Sequence, residues 1–239
     1  MFPQKRSLFF NLFALYILNN LIMKLDFSGR INTDYTKVSL TRSFKYKGGF
    51  ISPKRLKNGN EKLHHCFVFD LPAVLSCPNC KGCKDSCYAL QAQMQYPDVR
   101  VFRHTNLHLA VFNISKLKEL ICSQLQTSRT NIVRIHGSGD FFSQQYVDMW
   151  LEIIKMFPDK KFYAYTKAEK LFTFKKLSNF NLITSFIGGK LNYGDIDYCN
   201  SLKDRYNAFI CPCGIDKTVK CGIDCNYCIT NKKVCFLKH

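Results

Sequence analysis

Between Ser76 and Ala89 the chain reads SCPNCKGCKDSCYA, so Cys77, Cys80, Cys83 and Cys87 follow one another with two, two and three residues between them. At these separations one turning backbone can aim several thiolates at one small centre, and the C-x2-C-x2-C-x3-C run is one that holds iron–sulfur clusters. Tyr88 stands where that run ordinarily continues with Pro. Disulfides are the alternative chemistry, but cysteines two residues apart strain the bridge, and four so close leave little fold to staple. The loop is expected to bind metal.

A second group lies in ICPCGIDKTVKCGIDCNYC, which holds Cys211, Cys213, Cys221, Cys225 and Cys228. Its last three cysteines form C-x3-C-x2-C, the spacing by which radical S-adenosylmethionine (SAM) enzymes hold three irons of a 4Fe-4S cluster and leave the fourth open. In those enzymes the motif follows the first strand, whereas here eleven residues remain after Cys228. Three arrangements fit. There are two clusters, one per group; or both groups serve one site; or the tail is a zinc knuckle in which Cys211 and Cys213 join Cys225 and Cys228 as a tetrahedral set. Cys66, Cys122, Cys199 and Cys235 read as core or incidental residues.

Nine of the thirteen cysteines fall in these two stretches of a 239-residue chain. Such clustering favours metal ligation in a reducing compartment over a scattered extracellular disulfide network. The formal net charge is +18, from 35 Lys and Arg against 17 Asp and Glu, which points to polyanions such as nucleic acid as partners. Thiolate ligation would lower that charge.

The elements that must position the cysteines alternate between strand and helix. His64 to Leu71, HHCFVFDL, is a strand bounded by Pro72; His64, His65 and Cys66 there read as ordinary partly buried side chains. Leu107, Ala110, Val111, Ile114, Leu117, Ile121 and Leu125 place one amphipathic helix over Asn106 to Gln126. Asn131 to His136 is a strand leading to Gly137-Ser138-Gly139-Asp140. Ser143 caps a helix whose inward face is Tyr146, Val147, Trp150, Ile153, Ile154 and Phe157, stopped by Pro158. Lys161 to Tyr165 is a strand ending in Thr166-Lys167; a weaker helix over Ala168 to Leu177 leads to a strand at Asn181 to Phe186, then Gly188-Gly189-Lys190, and Asn207 to Ile210 is a last short strand. The fold class is α/β, a mostly parallel sheet of βα units, open or curled into a partial barrel, with a Cys-rich tail. Ligands bind beyond the carboxyl ends of such strands, which places the cysteine loop, His136 to Asp140, Thr166-Lys167 and Gly188-Gly189-Lys190 on one rim.

Four regions follow: an apolar extension at 1–22, a basic irregular segment at 23–62, an α/β core at 63–210 with its cysteine loop at 76–89, and a metal-binding tail at 211–239. The apolar run after Lys5 and Arg6 is short for a membrane span and interrupted by Asn11, Asn19 and Asn20. It reads as an upstream extension with Met23 as an alternative start, with a packing helix or an anchor as the other readings; no membrane partner is expected.

SCPNCKGCKDSCYA, VRIHGSGDFFSQQYVDMW, FYAYTKA and the tail cysteines, taken in order over Phe67 to His239, resemble the phage-encoded "gene product eighty-eight" family, which looks like a divergent branch of radical SAM proteins. The resemblance implies that Cys77, Cys83 and Cys87 are the principal ligands, leaving one iron for SAM and Cys80 spare. It further implies SAM as co-substrate, an electron-donor partner and a location in the host cytoplasm. Under that reading Asp140 hydrogen-bonds the SAM ammonium and Ser138 and Gly139 allow close approach. Thr166 and Lys167 would hold the SAM carboxylate, its ribose or an anionic substrate. Arg134 and His136 are less direct candidates, expected by strand alternation to share a face. The competing class is a non-catalytic zinc- or iron–sulfur-stabilised protein that binds nucleic acid. A ferredoxin-like electron carrier suits the cysteine spacing but not the large βα body or the basic charge.

Overall fold

Four short strands rich in β-branched and aromatic residues lie side by side and parallel in the computed structural model: β1 (Cys66–Phe69), β2 (Ile132–Ile135), β3 (Lys161–Thr166) and β4 (Phe180–Thr184), in the order β1-β2-β3-β4. The structure describes residues 66–80, 83, 87–171, 177–231 and 233–237, all within one compact unit spanning 47–239. The regions read as 1–22 and 23–62, with His64 and His65, lie outside the described residues.

The period-two alternation of the strands divides their side chains between two faces. Phe67, Phe69, Val133, Ile135, Phe162, Ala164 and Phe180 form one face of the main core. Against it pack three helices: α2 (Pro97–Phe112), α3 (Ile114–Thr127) and α4 (Gln144–Met156), with a short α1 (Tyr88–Gln95) leading out of the cysteine loop. Ser143 Oγ accepts from the Tyr146 N–H at 3.3 Å as the expected N-cap, and Tyr146, Val147, Trp150, Ile153 and Ile154 are buried.

The single helix expected over Asn106 to Gln126 is two. Asn113 leaves helical geometry (φ −150°, ψ 64°), and its side chain accepts from the Lys116 N–H at 3.2 Å, ending α2 and capping α3. The apolar spacing runs on across the break, so periodicity alone could not reveal it; local capping by the Asn side chain decides. Of the weaker helix after Lys167, a 3₁₀ turn at Glu169–Leu171 is present and 172–176 lie outside the described residues.

Beyond β4 the chain forms a hairpin, β5 (Phe186–Ile187) with β6 (Lys190–Leu191), whose Gly188 and Gly189 adopt positive φ (58° and 77°). A small sheet follows in the order β7-β9-β8, made of β7 (Tyr193–Gly194), β8 (Phe209–Ile210) and β9 (Val234–Leu237), with helix α5 (Ile196–Tyr206) against it. Cys199 and Cys235, both fully buried here, form a disulfide. Of their reading as core or incidental residues the core alternative holds, and the bridge is new: the two cysteines are 36 positions apart in sequence, and only packing brings them together.

Candidate metal centres

The rim beyond β1, β2 and β3 is tied together by buried polar groups. Asp70, directly after β1, accepts from Arg103 Nη2 at 3.0 Å and from the Ser138 N–H at 2.8 Å, while Arg103 Nη1 donates to the Ala89 carbonyl at 2.7 Å. One ion pair thus joins β1, the start of α1 after Cys87, and the loop after β2. Gly139 lies in the left-handed region (φ +86°), and a Cβ there would meet Leu71 and Ser76 at the entrance to the cysteine loop. Val74, also at positive φ (67°), is a strained β-branched position in the turn before Cys77.

Asp140 connects this loop to the end of β3. Its Oδ1 accepts from Thr166 Oγ1 and from the Phe141 N–H, each at 2.7 Å, and its Oδ2 accepts from the Lys167 N–H at 2.8 Å. Burial raises the Asp140 carboxyl above its ordinary range, and these three hydrogen bonds oppose the rise. Lys167 is placed in turn against the cysteines: its Nζ is 3.3 Å from Cys83 Sγ, and its carbonyl accepts from Asn79 Nδ2 at 2.8 Å. Tyr88, in the position ordinarily held by Pro, donates its hydroxyl to the Gly137 carbonyl at 2.8 Å. Ser138 is buried, and its Oγ has no partner among the described residues.

Cys77, Cys80, Cys83 and Cys87 are all half-buried and unbridged. Burial, then the Asp140 carboxylate, pushes the Cys77 thiol up to about 12, a cost that a bound cation reverses. Among the described residues no three donors form a ready-made cage around one point. The donor set nevertheless fits an iron–sulfur cluster: four unbridged thiols on one loop, with the Lys167 ammonium at the sulfur of Cys83.

Three of the four loops expected on one rim are thus joined by hydrogen bonds, and the Gly188-Gly189 turn packs against Tyr206 of α5. Arg134 and His136 do not share a face. His136 follows the end of β2 with φ +70°, which breaks the alternation, and turns into the core to hydrogen-bond Tyr146 at 2.9 Å and pack against Phe141. Arg134 lies on the opposite face, 5.2 Å over the Tyr165 ring.

That opposite face carries the second cysteine group. Cys66 and Val68 of β1 pack with Ile132 and Cys221, while Ile183 of β4 packs with Cys211, Cys213, Cys221 and Cys228. Asn181 Nδ2 donates to the Cys228 and Asn231 carbonyls at 2.9 Å, and the Cys66 thiol donates to the Cys221 carbonyl at 3.9 Å. The tail therefore covers this face of the sheet, from Cys66 and Ile132 at the starts of β1 and β2 to Tyr165 and Ile183 near the ends of β3 and β4. Cys66, read from sequence as a core or incidental residue, is fully buried and lines a small cavity with Cys211, Cys221, Cys225 and Cys228, whereas Cys122 is an ordinary buried residue of α3.

A model of the family described as Gene product 88 matches residues 34–212. The chain belongs to that family. The Gene product 88 match contains the whole rim and ends before Cys213. Similar proteins are the "Gene 88 protein" of Mycobacterium phage D29, 26% identical over 184 residues covering 65% of this chain and 77% of that protein, and the "Gene 88 protein" of Mycobacterium phage L5, 29% identical over 125 residues covering 47% and 52%. No solved structure matches this Gene product 88 chain. Among its described residues no helix is long and apolar enough to cross a membrane.

Proposed function

We propose that the rim holds a 4Fe-4S cluster and that the chain is an iron–sulfur protein of radical-SAM-like type, its four parallel strands corresponding to part of that superfamily's barrel. The observation that carries this reading is the convergence on Cys83: Asp140 and Asn79 fix the Lys167 backbone while Lys167 sets its ammonium at the sulfur. Cys77, Cys83 and Cys87 would hold three irons, with Cys80 a fourth ligand or spare. When bound, such a cluster supplies one-electron reduction of SAM.

The residues around it have separate tasks. Lys167 offsets negative charge at the thiolates, and Asp140 with Thr166 positions it; because both Asp140 oxygens already accept from the protein, Asp140 is a positioning residue. The unpartnered hydroxyl of Ser138 is a donor within the rim loop. The host cytoplasm would keep the half-buried rim thiols reduced while the fully buried Cys199–Cys235 bridge is shielded from thiol reductants, and a partner protein would deliver the electron.

Anaerobic reconstitution tests the reading, with iron, sulfide and zinc quantified and the reduced protein's EPR spectrum recorded with and without SAM. Iron and sulfide whose spectrum changes with SAM are expected. Zinc at the rim, or iron whose spectrum ignores SAM, overturns the radical reading and leaves a metal-stapled protein whose +18 charge suits nucleic acid.

A further inference from the structure

We propose that Cys211, Cys213, Cys221 and Cys228 hold a single tetrahedral divalent ion of the zinc class on the sheet face opposite the helices, a centre separate from the rim. The first observation is a distance. Cys213 Sγ and Cys221 Sγ are 3.6 Å apart, in hydrogen-bonding contact and not bridged by a disulfide. Two thiolates on one zinc, each about 2.3 Å from the metal at the tetrahedral angle, stand about 3.8 Å apart. On an iron–sulfur cubane each thiolate sits on its own iron, so the sulfurs are held farther apart by the intervening metal–metal edge. The spacing suits one ion and not a cluster.

The second observation concerns which thiols are gathered. Cys211, Cys213, Cys221 and Cys228 share one apolar cluster with Ile183, Val234 and Tyr165. Cys225, half-buried like Cys221 and Cys228, lies outside that apolar cluster; its backbone closes the turn after Lys220, where its carbonyl accepts from the Gly222 N–H at 3.0 Å. The set thus departs from both sequence patterns: Cys221 replaces Cys225 in the knuckle, and the C-x3-C-x2-C run does not act as a unit. A cavity of about 20 Å³, room for one water-sized sphere, is lined by Cys211, Cys221, Cys225 and Cys228 with Cys66 and Tyr163, and Cys213 reaches it through its contact with Cys221, so a Cys225→Ser variant decides between Cys213 and Cys225 as the fourth ligand. Among the described residues these thiols do not yet surround one point, so binding requires side-chain rotation to complete the set.

The charge also balances. Binding one divalent ion releases four thiol protons to solvent and leaves a centre of net charge −2, with no change of oxidation state. Arg134 lies within electrostatic range of Cys228 and Cys66, and the Tyr165 hydroxyl hydrogen-bonds Cys228, so a cation and a donor face the site from β2 and β3. Its consequence is mechanical: the ion fastens the tail over Cys66, Val68, Ile132 and Tyr163, which the helices do not cover.

The test uses the full chain and a Cys83→Ser/Cys87→Ser form that disables the rim, so that failure of the rim reading cannot be mistaken for failure here. Elemental analysis is expected to find one zinc per chain in both forms, reduced about tenfold or more by Cys213→Ser or Cys221→Ser and retained in Cys225→Ser. Cobalt(II) exchanged into the rim-disabled form should give the intense ligand-field absorption of tetrahedral thiolate coordination, a measurement that stands even if a ligand variant fails to fold. Iron and sulfide held by the tail, zinc undiminished in Cys221→Ser, zinc lost in Cys225→Ser, or the weak spectrum of six-coordinate cobalt would each overturn the proposal.

Discussion

Lys167 Nζ stands 3.3 Å from the sulfur of Cys83, although 84 positions separate the two residues in sequence. A cation at a cluster ligand stabilises the more negative, reduced state. Lys167→Gln is therefore expected to move the midpoint potential of the reconstituted rim cluster negative by on the order of tens of mV, with Lys167→Arg restoring most of it. Thermal stability should change little, since the substitution leaves the backbone bonds to Asp140 and Asn79 in place. An unchanged potential in a loaded Lys167→Gln protein would separate Lys167 from the cluster.

The Asp70–Arg103 pair is the hub of the rim, with side chains only 6% and 7% exposed. Removing one charge from a buried pair leaves the other uncompensated, which costs about 3–5 kcal/mol. Asp70→Asn should lower the urea midpoint accordingly and reduce rim iron, because Arg103 also holds the Ala89 carbonyl two residues after Cys87. Normal iron loading alongside the stability loss would show that the pair serves the fold alone.

Burial, then the nearby Arg134 charge, pushes His136 down from its ordinary 6.5 to about 3. Between these values the unfolded chain binds a proton that the native chain refuses, so stability falls as the pH drops through 6.5 and continues to fall towards 3. From pH 6.5 to 4.5 this one group costs about 2–3 kcal/mol. His136→Gln, which can still hydrogen-bond Tyr146, should flatten that acid limb relative to the parent protein; parallel urea titrations at both pH values would reveal an unaltered slope if the assignment is wrong.

The Cys199–Cys235 disulfide closes a separation of 36 residues, worth up to ~4 kcal/mol in the chain-entropy description. Reduction under partly denaturing conditions should lower the melting temperature of the parent protein and leave a Cys199→Ala/Cys235→Ala form unmoved. Two free thiols at these positions in the native protein, measured by alkylation and mass analysis, would contradict the bridge.

Much of the core was legible because local rules agreed there. The apolar runs around Phe67, Val133, Phe162 and Leu182 are short and bounded by turn residues, and Ser143 announces its helix by capping chemistry. The break at Asn113 was hidden by apolar spacing that continues through it. The opposed directions of Arg134 and His136 were hidden by a single left-handed backbone angle, which no side-chain pattern records. Asp70 gave only a weak signal, an acidic residue at a strand end, whose meaning depends on an arginine 33 positions away.

The sequence by itself determined the strand and helix alternation, the rim position of the first cysteine loop and the presence of a second cysteine group, because each depends on spacing and periodicity within a few residues. Tertiary structure alone decided that the second group lies across the opposite sheet face, that Cys66 of β1 adjoins it, that Cys213 faces Cys221 and that Cys199 bridges to Cys235. Those are contacts between distant segments, fixed by which apolar faces had to be buried against one another, and linear spacing carries no information about them.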